Sequence, residues 1–197
     1  MKEKKINAVI TGGASGLGEA TVRKIIALGG TVTIADFQQK RCMDLSEELG
    51  KSCSSSFTDV TDEGSIEKAL LKSTSNFGPI NLVVNCAGIG ITKKVFSKEE
   101  LHSIKIFEKV VSVNLTGSFN VSKLAFNKMK DNLLENAETR GVIINTASIA
   151  AYDGQIGQAA YSASKGGIVA LTLPLAREFA RYNICLLYTS PSPRDVE

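Results

Sequence analysis

No apolar run in this 197-residue chain approaches the ~20 residues that a helix needs to cross a bilayer. A membrane-crossing helix is therefore excluded. Histidine is nearly absent, with His102 alone, and the four cysteines, at positions 42, 53, 86 and 185, form no CxxC pair. A zinc site needs more ligands at closer spacing, so no metal site is expected. Nothing points to an oxidising compartment, so the thiols read as reduced rather than bridged. A one-signed charge cluster is missing too. The formal charge is only +3, and the positive residues are scattered, with lysines at 2, 4 and 5, then 93 and 94, then 128 and 130 among them. That pattern is a solvated surface, not a nucleic-acid footprint. Met1 to Lys5 is basic but lacks the apolar core and cleavage site of a secretory signal, and is short for a transit peptide.

What remains is ordinary globular composition, 43% apolar and 22% charged, with room for one domain and one core. Short β-branched runs alternate with longer helical stretches. Strands are predicted at Asn7 to Thr11, Thr31 to Ala35, Cys53 to Thr58, Ile80 to Asn85 and Val142 to Thr146. Helices are predicted at Gly16 to Leu28, Gln38 to Leu49, Asp62 to Phe77, Asn120 to Leu134 and Tyr161 to Arg181, with a kink at Pro174. Leu101, Ile104, Phe107, Val111 and Leu115 recur at spacings of three and four and predict a further helix. This alternation implies βαβ units, hence a Rossmann-type doubly wound parallel sheet in three α/β/α layers, with ligands at the carboxyl ends of the strands.

The segment Thr11-Gly-Gly-Ala-Ser-Gly-Leu-Gly18 lies between the first strand and the first helix. Gly12, Gly16 and Gly18, with Ser15 and Leu17 between them, allow a tight turn. Backbone can then approach a pyrophosphate at the positive end of a helix. Asp36 ends the second strand. A carboxylate there would accept hydrogen bonds from the adenosine ribose hydroxyls and repel the 2′-phosphate of NADP, and uncharged Ser15 offers that phosphate nothing, so NAD is the expected cofactor. The alternative for Asp36 is a helix N-cap. Asp59, followed by Val60, could meet an adenine amino group, or equally cap the helix starting near Asp62. Asn85-Cys86-Ala87-Gly88 closes the fourth strand with small residues, across which a cofactor could lie, or simply makes a turn.

Tyr161 and Lys165 are spaced i, i+4 and share one helix face. A phenol with a pKa of ~10 is a poor base at neutral pH. An adjacent ammonium and an oxidised nicotinamide would stabilise its phenolate, letting Tyr161 take a substrate hydroxyl proton. Ser148, at the carboxyl edge of the strand ending at Thr146, would hydrogen-bond the same substrate oxygen.

Thr11–Gly18, Asn85–Gly88, Asn114, Ser148 and Tyr161–Lys165, in this order, resemble the short-chain dehydrogenase/reductase family across residues 6–182. The resemblance implies that Asn114 bends the middle helix and holds a water linking Lys165 to solvent, and that Lys165 also touches the nicotinamide ribose. The blocks Gly141 to Ser148 and Gly154 to Gly167, with Cys86 where most of the family has asparagine, are similar to an NAD-dependent subgroup. That subgroup oxidises short 3-hydroxyacyl-CoA thioesters and accepts some steroid alcohols. Its animal members are mitochondrial and its bacterial members cytoplasmic; some also act as non-catalytic scaffolds.

The family pattern continues from Asn183-Ile184 into a sixth strand, a Pro-Gly turn and a substrate lid. None is recognisable here. Residues 1–184 therefore read as a truncated dinucleotide-binding domain, and residues 185–197 as a non-family tail resembling translated adapter sequence. Such a chain is expected to be poorly soluble and catalytically inactive. Full-length members pair two helices across a two-fold axis and are commonly tetramers; this chain is expected to reach at most a dimer.

Overall fold

The structure, a computed structural model, describes residues 5–134 and 139–189. Its strands and helices run β1 (Asn7–Thr11), α1 (Gly16–Ala27), β2 (Thr31–Asp36), α2 (Gln39–Leu49), β3 (Cys53–Phe57), α3 (Glu63–Phe77) and β4 (Leu82–Asn85). A small hairpin follows, β5 (Phe96–Ser97) with β6 (Glu100–Leu101), then α4 (Ile104–Val111), α5 (Gly117–Met129), β7 (Gly141–Thr146), α6 (Ala159–Ala180) and β8 (Ile184–Thr189).

The main sheet has the order β3-β2-β1-β4-β7-β8, and every pairing in it is parallel. Each residue of β1 and β2 is buried, as expected where helices cover both faces. Side chains alternate between the two faces. Val9, Val83 and Ile143 pack with Ile66 and Leu70 of α3 and Val121 and Met129 of α5. Ala8, Ile10 and Val84 pack on the other side with Val22 and Ile25 of α1 and Leu45 of α2. This is the doubly wound three-layer architecture that the sequence pattern predicts.

Three predicted elements need correction. Leu101 belongs to the hairpin, not to a helix. Lys98 and Glu99 take φ values of 52° and 61°, the left-handed pair that closes a two-residue hairpin, and the helix starts only after Ser103. The helix predicted to reach Leu134 ends at Met129. The third correction is larger. A sixth strand does follow Asn183: β8 pairs with β7 from Gly141↔Ile184 to Thr146↔Thr189. Asn183, at φ 55°, turns the chain out of α6, and Ile184 and Leu186 enter the core beside Ile143 and Phe179. The boundary drawn at 184/185 therefore falls inside a strand. The Pro-Gly turn and lid concern residues beyond Thr189, outside the described ones. Pro174 lies within α6, which continues to Ala180.

Among the described residues, no helix is long and apolar enough to cross a membrane, and no group of three His, Cys, Asp or Glu side chains could hold a metal ion.

Candidate active site

Two adjoining cavities open at the carboxyl ends of β1, β2, β4 and β7. The larger, of about 760 Å³, is lined by the glycine turn, Asp36, Asp59, Val60 and the Cys86–Gly88 segment. The smaller, of about 490 Å³, is lined by Ser148, Tyr161 and Lys165. They share Leu17, Cys86, Gly88 and Ile89. Of the site residues singled out in the sequence, all but Asn114 line one cavity or both; Asn114 is buried, with its side-chain oxygen against Gly88.

The glycine turn is held by close backbone approach. Gly12 has φ 63°, and a Cβ there would lie 2.7 Å from the Cα of Ala87. A Cβ on Gly18 would lie 2.1 Å from the carbonyl oxygen of Gly12. A side chain at Gly12 would push the turn away from the segment after β4, and one at Gly18 would force the turn itself open. Ser15 stands at the N-cap of α1, but its side chain does not cap the helix. Ser15, Gly16, Leu17 and Gly18 at this helix start line the larger cavity, a fit for a pyrophosphate.

Asp36 is buried at the end of β2. Its Oδ2 accepts from the Ala14 N–H at 3.0 Å and its Oδ1 from the Gln38 N–H at 2.9 Å. The carboxylate is thereby fixed against the glycine turn, with further lone pairs available to ribose hydroxyls. The N-cap of α2 is Gln38, not Asp36. Asp59 accepts from the Thr61 N–H and hydroxyl, at 2.8 and 2.7 Å, both through Oδ1. The cap of α3 is Asp62, which accepts from the Gly64 N–H. Of the two readings open for Asp59, the helix cap is therefore removed.

At the smaller cavity, Ser148 follows β7 and its Oγ accepts from the Ala150 N–H at 3.2 Å. Lys165 reaches across from α6. Its Nζ lies 5.8 Å from the Tyr161 ring centroid and donates to the Thr146 carbonyl at 2.6 Å. Burial pushes its ammonium down to about 8, opposed by the neighbouring Cys86. Burial likewise pushes the Cys86 thiol up to about 11, with Lys165 opposing.

Asn114 is fully buried within a π-helical turn, Ser112–Thr116, that joins α4 to α5. Such turns distort a helix locally and recur at functional sites. Its Oδ1 accepts from the Ile89 N–H at 2.8 Å, and its Nδ2 donates to the Ile89 carbonyl and to Ser164 Oγ, both at 3.0 Å. Both Nδ2 protons of the amide are therefore used. The Asn114 backbone carbonyl accepts from the Ser118 hydroxyl at 2.7 Å.

The description "short chain dehydrogenase" fits the family model that matches residues 6–196. The chain belongs to that family. It is 44% identical over 190 residues to 3-hydroxyacyl-CoA dehydrogenase type-2 of Bos taurus, and 43% identical to that of Homo sapiens. Each alignment covers 95% of this chain and 73% of the relative, so the relatives are longer. The crystal structure of 3-hydroxyacyl-CoA dehydrogenase type-2 from Mycobacterium avium superposes with a TM-score of 0.90 at 32% identity, covering 99% of this chain and 80% of that one. A 3-ketoacyl-(acyl-carrier-protein) reductase from Brucella melitensis, complexed with NADH, superposes with a TM-score of 0.84 at 30% identity, covering 96% and 76%. The chain is thus a short-chain dehydrogenase-type oxidoreductase, similar to 3-hydroxyacyl-CoA dehydrogenases and built for a nicotinamide cofactor.

Several lining residues carried no sequence signal. Thr92 borders the smaller cavity, and Phe37, Lys109 and Val113 the larger. They lie outside every motif, and only the course of the loops brings them there.

Proposed function

We propose that this chain moves hydride between NAD and a secondary alcohol or ketone, the substrate being a short 3-hydroxyacyl-CoA thioester or a steroid alcohol. One observation carries the reading: Ser148, Tyr161 and Lys165 converge on a cavity that shares a wall with the glycine-turn cleft. A substrate in the smaller cavity and a dinucleotide in the larger would meet along Cys86, Gly88 and Ile89.

The bound nicotinamide would supply the hydride acceptor. Ser148 Oγ would hydrogen-bond the substrate oxygen and orient it. Tyr161 would take the proton from that oxygen as the C–H bond breaks, and return it in the reverse direction. Lys165 would hold positive charge beside the phenol ring and reach the ribose of the cofactor. Asn114 would stand behind both, holding a water that connects Lys165 to solvent. Gly12, Ser15, Gly16, Leu17, Gly18, Asp59, Val60, Cys86, Ala87 and Gly88 would hold the cofactor. Asp36, anionic and fixed, supports NAD over NADP, because a 2′-phosphate would be brought against a carboxylate.

Tyr161→Phe tests the reading, because it removes one oxygen and little volume. Turnover of acetoacetyl-CoA with NADH should vanish while NADH binding, followed by fluorescence, changes less than about threefold, under 1 kcal/mol. Retained turnover would show that another group transfers the proton.

A further inference from the structure

We propose that Ser164 is a positioning residue for this site, the joint through which Asn114 fixes Tyr161; the proposal rests on the catalytic reading above. Ser164 lies in the first turns of α6 and is fully buried. Its hydroxyl is bracketed by two partners. It accepts from Asn114 Nδ2 at 3.0 Å and donates to the Tyr161 carbonyl at 2.7 Å. Asn114 in turn holds both the N–H and the carbonyl of Ile89. A continuous hydrogen-bonded path therefore runs from the loop after β4, through the π-helical turn, to the backbone of Tyr161.

The position of the last acceptor matters. In an α-helix the Tyr161 carbonyl is the i−4 acceptor for the backbone N–H of Lys165. The Ser164 hydroxyl thus bonds the peptide group that joins Tyr161 and Lys165 through the helix. At the far end of the path, Ile89 lines both cavities. Nothing in the path ionises near neutrality, so it holds geometry rather than carrying a proton.

Removing the hydroxyl leaves one Asn114 N–H buried without an acceptor, which favours rotation of the amide and release of Ile89. A serine within a helix commonly bonds only its own preceding turn. Here the second bond, to Asn114, ties that turn to another element.

The test uses the full chain as wild type, Ser164→Ala, Asn114→Ala and the double variant. Amide hydrogen exchange read by mass spectrometry should accelerate in the peptide carrying Ile89 and Gly90 in Ser164→Ala, with peptides from β2 unchanged. With acetoacetyl-CoA and NADH, Ser164→Ala should lower kcat about tenfold with the NADH KM nearly constant, and the double variant should be no slower than Asn114→Ala, as required for residues acting in series. Unchanged exchange at Ile89, or additive losses in the double variant, would overturn the proposal. If Ser164→Ala does not fold, Ser164→Cys takes its place, and its weak S–H donor should give an intermediate loss in both readouts. A wild type that turns over no alcohol or ketone would sink the proposed function instead, while the exchange comparison still decides the role of Ser164.

Discussion

Asp36 and Lys165 place opposite charges at the two ends of the site, and each makes a measurable demand. Asp36→Ala removes both a ribose acceptor and the repulsion of a 2′-phosphate. The wild type should bind NADH much more tightly than NADPH, and the variant should narrow that gap by weakening the first and strengthening the second. Equal affinities in the wild type, by fluorescence titration, would remove Asp36 from the cofactor assignment. Lys165 carries its charge in a buried place, and its ammonium is pushed from 10.5 to about 8. The unfolded chain therefore holds this proton more tightly than the folded one. The group's contribution to stability is fully present above 10.5 and is lost as pH falls through about 8. In urea unfolding, wild type should gain on Lys165→Met as pH rises through that window. Affinity for NADH should move the other way and weaken as pH rises through about 8, because the ribose then meets a neutral amine. A pH-independent NADH affinity would show that the ammonium is not part of cofactor binding.

At the scale of elements, the motifs and their order were legible because each needs a particular backbone. A glycine turn between strand and helix, and a Tyr-x-x-x-Lys pair on one helix face, declare their surroundings. The hairpin at Phe96–Leu101 was not legible, because Leu101 and Ile104 fall on a helical spacing while Lys98 and Glu99 are not the usual residues of a left-handed turn. The π-helical turn at Asn114 leaves no sequence mark either; it is set by the bonds Asn114 makes to Ile89 and Ser164. β8 leaves a weak sequence mark because its outward residues, Cys185, Leu187 and Tyr188, are not the polar ones that mark a surface strand, so the buried pair Ile184 and Leu186 shows no alternation with polar neighbours. That pair gives a direct test. Leu186→Ala should destabilise the chain by about 2–4 kcal/mol, as for a buried large-to-small change, whereas Cys185→Ser should stay within about 0.5 kcal/mol. Equal, negligible effects in thermal unfolding would mean that residues 184–189 do not form a core strand.

Assembly follows from surfaces that the single chain leaves open. Phe119 on α5 and Leu173 on α6 are exposed, at 41% and 55%. The family resemblance implies that helices at these places pair across a two-fold axis, and we expect this chain to reach at most a dimer through them. Light scattering on the purified chain checks this; a stable tetramer would contradict it.

The strand order also governs when the parts can form. β1 is made first but sits in the middle of the sheet, and Thr11 meets Asn85 across a separation of 74 residues. Asn85 then meets Asn145 across another 60. Pairings so distant in sequence form slowly, because a long loop must close before any contact rewards it. The segment from β1 to β4, with α1, α2 and α3 between its strands, carries most of the dinucleotide cradle and can condense while the rest of the chain is still leaving the ribosome. The tyrosine and lysine arrive last, onto a half already shaped. During that interval the bare flank of β4 is the surface most open to the wrong neighbour, and a chaperone would be needed there first.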